Sequence, residues 1–280
     1  MLNNNIKTGI LIFLLIWLFT EVGKIMGDER GALIGFGIAA VMSLYSYWFS
    51  DKMVIRAYKC KEVKEKDNPR LYQIVRELAE RAEIPMPRVY IVPEEQPNAF
   101  ATGRNPKHAA VACTEGLLKM MSDDELRGVL GHELGHIQHR DILISTIAAV
   151  FAGAITNIIR MFGVRTGSNN QQRRVSKLAL LVTVLAPIAA VIIQMTISRR
   201  REYMADEAGA KFSGDPKFLM SALQKLEQGS KTIPFKNTSR PATENMFIVN
   251  PFNGLRGLEN LFRTHPKTED RIKALSKLCR

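Results

Sequence analysis

Ser122-Asp123-Asp124-Glu125-Leu126-Arg127-Gly128-Val129-Leu130-Gly131-His132-Glu133-Leu134-Gly135-His136 is the stretch from which the architecture can be read. It opens as a capping box: Ser122 can accept from the backbone three residues on, and Glu125 can reach back to the Ser122 amide. The helix so started carries His132-Glu133-Leu134-Gly135-His136, an HExxH pattern. A spacing of four puts both imidazoles on one helix face, and the glutamate between them is placed to take a proton from a metal-bound water. Such a pattern also arises by chance, and the alternative is a polar helix face with two surface histidines. Leu126, Val129, Leu130, Leu134 and Ile137 flank the motif and weaken that alternative. They imply a helix packed in a core, where a His-Glu-His cluster needs partners.

A catalytic zinc usually takes three protein ligands and leaves a fourth position for water. His139 is nearest in sequence, but from His132 it lies roughly 10 Å along a helix axis, too far for one ion to reach all three. Glu202, in Arg201-Glu202-Tyr203-Met204-Ala205-Asp206, is the better third ligand. Asp206 follows it at i+4 and can orient a ligating histidine from behind. Without the upstream HExxH, Glu202 and Asp206 would read as a solvated helix face pairing with Arg199 or Arg201.

Outward from this helix the chain turns apolar. Thr8–Thr20, Gly31–Ser50, Ile142–Ile159 and Leu178–Ser198 contain no charged residue, together 72 of 280 residues, although the mean hydropathy of −0.05 resembles that of a soluble protein. About 20 apolar residues span a bilayer, so the second and fourth runs qualify outright. The third qualifies if Arg160 snorkels, and the first is marginal. No A-x-A-like site follows the first run, which favours an uncleaved anchor. The net charge of +12 points to lipid, because basic clusters at 51–70 and at Arg199, Arg200 and Arg201 sit at the ends of apolar runs. No nucleic-acid motif is present, and no phosphate-binding loop of the GxxxxGKS or GxxxxGKT type implies a nucleotide. Cys60, Cys113 and Cys279 form no CxxC pair, which suits a reducing compartment.

Between these landmarks, Asn68-Pro69 opens an amphipathic helix with Leu71, Ile74, Val75, Leu78, Ala79 and Ala82 on its apolar side. Arg88–Val92, Ala99–Thr102 and His108–Cys113 read as three short strands in an antiparallel meander. Thr114 caps a short helix. Arg199–Phe212 continues the fourth run as a helix, Asp215-Pro216 opens another with Leu219 and Leu223 inward, residues 231–250 read as a loop, and Thr268–Leu278 closes the chain.

The order of these motifs resembles the HtpX family of membrane-bound zinc metalloproteases, related to the integral-membrane CAAX prenyl proteases. The residues that carry the likeness are Asn98-Ala99-Phe100-Ala101-Thr102-Gly103, Gly131–His136 with Arg140-Asp141, Arg201–Asp206 and Thr264-His265-Pro266, interleaved with two pairs of apolar runs. The resemblance implies one Zn2+ per chain on His132, His136 and Glu202, Glu133 as general base, and a bacterial inner-membrane endopeptidase that faces the cytoplasm and acts in quality control of membrane proteins. The oxyanion then needs a donor, for which His265 is the candidate, with Arg271 behind it, the alternative being a capping histidine before Pro266. Asn98, Ala99, Phe100, Ala101, Thr102 and Gly103 hold an extended substrate as an added strand, the alternative being an interior strand of the meander.

The expected fold class is α+β, a mainly helical integral membrane protein with four hydrophobic segments and a zincin-like cytoplasmic metallopeptidase domain carrying a small antiparallel sheet. Residues 1–50 are two transmembrane helices, 51–141 and 199–280 the two parts of the peptidase domain, and 142–198 a transmembrane hairpin. Residues 160–177 carry five basic groups and no acid, which runs against crossing, yet the clusters at 51–70 and 199–201 favour it. The expected partners are protein or peptide substrates and the lipid bilayer. A membrane scaffold with an incidental HExxH and a prenyl-protein protease are the competing readings.

Overall fold

The computed structural model describes residues 4–147, 199–232 and 266–279. The fourth apolar run, the third beyond Ile147, the basic stretch 160–177, the loop residues from 233 onward and His265 lie outside the described residues.

The chain begins with α1 (Asn4–Ala57), two helices that meet where Gly27 and Asp28 leave helical geometry, Asp28 at φ 51°. The charged stretch between the first two apolar runs is therefore helical up to this apex. The two arms pack antiparallel and very close: a Cβ added at Gly23 would lie 2.1 Å from the Gly31 carbonyl oxygen, and one at Gly35 2.2 Å from that of Phe19. Small residues are what allow helix backbones to approach in this way inside lipid. Thr8–Ile25 and Gly27–Phe49 are long and apolar enough to cross a membrane, and only 22% and 28% of these windows are buried within the protein. Phe13, Trp17, Leu33, Val41 and Leu44 point outward, a surface suited to hydrocarbon and not to water.

The second arm runs on past the apolar run and seats Val54 and Tyr58 on one face of a sheet. That sheet is β1 (Lys61–Glu62), β2 (Arg88–Val92), β3 (Ala99–Gly103) and β4 (Ala109–Thr114), in the order β1-β2-β4-β3. It is mixed, not the expected antiparallel meander, because β2 runs parallel to β4, with Arg88 opposite Ala110 and Val92 opposite Thr114. The reason lies in the β2–β3 connection. Pro93 and Pro97 lack N–H groups, so the segment cannot close a hairpin. It is tied instead to the far end of β4, where Thr114 N–H donates to the Asn98 carbonyl and Gly116 N–H to the Glu94 carbonyl. β4, buried at every position, takes an inner place, and β3 is an edge strand among the described residues. Tyr90, Val92, Phe100, Ala110 and Ala112 meet α1, while Val89, Ala99, Ala101, Val111 and Cys113 face the main core.

That core is helical. α2 (Pro69–Arg81) is capped by the Asn68 side chain and buries Leu71, Ile74, Val75, Leu78 and Ala79, as the spacing predicts. α3 (Glu115–Met120) is capped by Thr114, and α4 (Asp123–Gln138) by the Ser122–Glu125 box with both reciprocal bonds made. Arg70 joins the three, donating to the Leu118 and Met121 carbonyls and pairing with Asp123 at 2.6 Å. α5 (Arg199–Ser213), α6 (Pro216–Thr232) and α7 (Thr268–Ser276) complete the described helices. Leu219 and Leu223 of α6 and Leu275 of α7 enter the same cluster as Leu71 and Ile74, so residues before 141 and after 199 build one core.

Candidate active site

The site sits where α4 and α5 cross with little between them. Gly131 and Gly135 line the α4 face, and Ala205, Ala208 and Gly209 line α5, while Gly128 admits the Leu219 backbone of α6. A Cβ added at Gly209 would stand 2.8 Å from the His132 backbone nitrogen, and one at Gly131 3.0 Å from the Gly209 carbonyl. This seam of small residues brings the two backbones close enough for short side chains to converge from both helices.

His132, His136 and Glu202 converge there, their ligand atoms all within 4.8 Å of one another. The two Nε2 atoms are 3.2 Å apart, and the Glu202 carboxylate oxygens lie 3.7 Å from His132 Nε2 and 3.6 Å from His136 Nε2. Ligand atoms on a tetrahedral zinc at 2.0–2.1 Å stand about 3.3 Å apart, so this donor set fits such an ion with small adjustment. His132 is fully buried and Glu202 nearly so.

Each imidazole is oriented from behind by its own carboxylate. His132 Nδ1 meets Asp206 Oδ1 at 2.9 Å, and His136 Nδ1 meets Asp141 Oδ2 at 3.3 Å. With both Nδ1 atoms so engaged, both Nε2 atoms face the shared space, the arrangement that second-shell carboxylates produce in metal sites. Each carboxylate is in turn held by an arginine. Arg271 bonds Asp206 with Nε at 2.9 Å and Nη2 at 2.5 Å, and Arg201 Nη1 lies 3.6 Å from Asp141.

The electrostatics follow this layout. Burial and the Arg271 guanidinium hold the His132 imidazolium down, to about 4, against the pull of Asp206. Burial also opposes charge on His136, but the Asp141 bond and the Glu202 and Glu133 charges outweigh it and raise the group to about 9. Asp206 is buried, yet Arg271 and His132 lower its carboxyl to about 2. Glu133 is 4% exposed, and its charge acts on both His136 and the Cys113 thiol of β4.

Glu202 thus joins the two histidines, and Asp206 stands behind His132. His139 is the C-cap residue of α4, away from this convergence. Asn98–Gly103 form the edge strand β3 and the residue before it, with α4 packed against that strand. Arg271, read from sequence as a support for His265, grips Asp206 and lies 3.3 Å from His132 Nδ1, while His265 lies outside the described residues. Asp141 is the residue whose role the sequence reading missed. The active-site helix stops short of the third apolar run. It ends in a Schellman motif in which Arg140 adopts φ 58°, its N–H bonds the Ile137 carbonyl, and the Asp141 N–H bonds the His136 carbonyl at 2.9 Å. This reversal turns Asp141 back onto the ring of His136. Five residues beyond a helical histidine, an aspartate would be useful only after such a break, and arginine gives little sign of it.

The chain is 51% identical to proteins named protease HtpX homolog from Burkholderia thailandensis, Burkholderia mallei and Burkholderia pseudomallei, over 99% of this chain and 98% of each relative. Among solved structures, the crystal structure of S. mikatae Ste24p matches 95% of this chain with a TM-score of 0.53 at 19% identity, a likeness of fold in which this chain spans 62% of the longer one. The profile of peptidase family M48 matches residues 65–279, which contain every side chain of the converging cluster. Two histidines of an HExxH helix joined by a glutamate from the crossing helix, in a chain with two apolar spans among the described residues, is what such a relationship requires, and this chain belongs to peptidase family M48 as a membrane-bound metalloprotease.

Proposed function

We propose that this protein is a zinc endopeptidase of a bacterial inner membrane, its site open to the cytoplasm, that cleaves misfolded or damaged membrane proteins in quality control. His132, His136 and Glu202 hold one zinc per chain in this reading. Zinc held there would polarise the scissile carbonyl and acidify a water. Glu133 would accept the proton of the attacking water and pass it to the leaving amine as the C–N bond breaks. His265 is proposed as donor to the developing oxyanion, a role supported by Arg271, six residues on, reaching into the cluster. Asn98–Gly103 would bind substrate as an added strand, a role supported by β3 pairing, among the described residues, on one side only, with β4. Four spans, with 142–198 crossing as a hairpin, and the domain division 1–50, 51–141, 142–198 and 199–280 belong to the same proposal, supported by the basic residues that follow α1.

The observation that carries the reading is the convergence of three ligand atoms with a carboxylate behind each imidazole. The test uses purified protein in detergent with an unfolded soluble substrate and a membrane-protein substrate, with and without chelator. Expected are zinc near one per chain, cleavage abolished by chelator, and Glu133→Gln inactive with its zinc retained. Cleavage that persists in Glu133→Gln would overturn it.

A further inference from the structure

A hollow opens at the foot of the α1 span, on the side of the sheet that faces α1, and none of His132, His136 and Glu202 lines it. It encloses about 400 Å3 between the end of α1 and the β3–β4 turn, within the range of small-ligand pockets. Its membrane end is Trp48 and Phe49, the last residues of the apolar window Gly27–Phe49. Its other walls carry Lys52, Arg88, Arg104 and Lys107. The acid among the lining residues, Asp51, is engaged by the Arg88 guanidinium. The hollow is therefore strongly cationic where apolar span gives way to domain.

Three of these four cations are held in place. Arg104 stacks on Trp48, its guanidinium carbon 4.8 Å from the ring centroid, and donates to the Trp48 carbonyl at 3.3 Å. Arg88 is fixed between Asp51 and the Tyr90 hydroxyl. Lys52 lies over Phe49 at 5.3 Å. The β3–β4 turn that brings Arg104 and Lys107 is shaped by Asn105, whose side chain caps the Pro106–His108 turn and bonds His108 Nδ1. Beyond Arg88 and Lys52, a neighbouring concavity continues the basic lining through Arg56 and Lys59. A ring of preorganised donors beside indole and phenyl groups matches a phosphodiester whose acyl chains lie along the apolar helix.

We propose that this hollow binds the phosphate headgroup of an anionic phospholipid, its acyl chains lying against the exposed apolar face of α1. The site rests on α1 being seated in the bilayer, as proposed above, but it is independent of the metal chemistry. Because the β3–β4 turn forms one wall, a bound headgroup clamps the edge strand β3 to the membrane surface.

The test measures lipid retained by the purified full-length protein, by mass spectrometry of the intact protein released from micelles that carry phosphatidylglycerol or phosphatidylcholine. Wild type is expected to retain phosphatidylglycerol in preference. Arg104→Gln/Lys107→Gln should weaken that retention about 25-fold, each cation near an anionic headgroup contributing about fivefold. Lys211→Gln/Lys217→Gln, which removes two exposed cations from α5 and α6, should leave it unchanged. Equal retention in the two double variants, or no preference in wild type, overturns the proposal. Displacement of the lipid by inorganic phosphate at equal concentration also overturns it, in favour of a free-phosphate site. Zinc content is read in parallel: loss of lipid with zinc intact isolates the headgroup site, and if the double variant loses zinc as well, Lys52→Gln gives the deciding measurement.

Discussion

Asp141 and Asp206 do the same job for the two histidines by different routes. Asp206 shares a helix with Glu202 and is gripped by a buried arginine, whereas Asp141 reaches His136 only because α4 breaks at Arg140. Asp141→Asn keeps the shape but removes the charge that fixes the His136 ring, and is expected to weaken zinc binding about 10- to 100-fold. Titration with a competing chelator measures this, and an unchanged affinity would mean that His136 is oriented by packing alone. His139→Ala is the matched control and should keep full metal content. HExxH was legible in the sequence because its message is local: one helical turn sets both imidazoles side by side. Glu202 was legible only by elimination, and Asp141 not at all, because its value depends on one left-handed backbone torsion.

Helix ends and helix seams show the same division. The Ser122–Glu125 box, the Asn68 cap and the Thr114 cap are all bonds between residues three apart, and each forms as the sequence predicts. Glu125 goes further than its capping role: Ser221 donates to it at 2.6 Å and Lys225 at 2.7 Å, which ties α4 to α6. Burial works against its charge, but these donors and the Ser122 amide lower its carboxyl from 4.5 to about 2. A group whose pKa is lower in the folded chain stabilises it above the unfolded value and loses that contribution as pH falls toward the folded value. Stability should therefore fall between about pH 4.5 and 2 in wild type, and Glu125→Gln should start about 2 kcal/mol less stable at neutral pH and show a shallower acid limb. Chemical denaturation across that range checks both. The α4–α5 seam responds to volume. Gly209→Ala drives a methyl into the His132 backbone and should cost about 1–3 kcal/mol while loosening the metal site, since α5 must retreat and take Glu202 with it. A variant with wild-type zinc affinity would show that α5 can slide without moving Glu202.

The molecule joins a membrane hairpin to a peptidase core through one continuous helix, and closes that core with residues from both sides of the interval 148–198. Reading the sequence, both halves of the metal site hang on apolar segments, which suggests that those segments organise it. The structure offers a sufficient cause closer at hand: the glycine seam and the shared cluster of Leu71, Ile74, Leu219 and Leu223. Replacing 148–198 with a soluble linker, and keeping Ile142 and Thr146 in place because they pack on the core and on Thr102, should leave zinc near one per chain. Metal analysis after gel filtration decides it, and a chain that folds without binding zinc would return the organising role to the replaced segment.

What could be read from the sequence was what short range dictates: apolar runs long enough for a bilayer, helical faces repeating every three to four residues, caps, and the paired imidazoles. These depend on neighbours within a turn or two, so the order of residues contains them in full. The parallel pairing of β2 with β4, the edge position of β3, the pairing of Arg271 with Asp206 and the turn of Asp141 onto His136 were set by packing. Each joins groups through a contact whose energy exists only once the intervening chain has folded, and a register or a left-handed residue leaves no periodic mark on the sequence that encodes it.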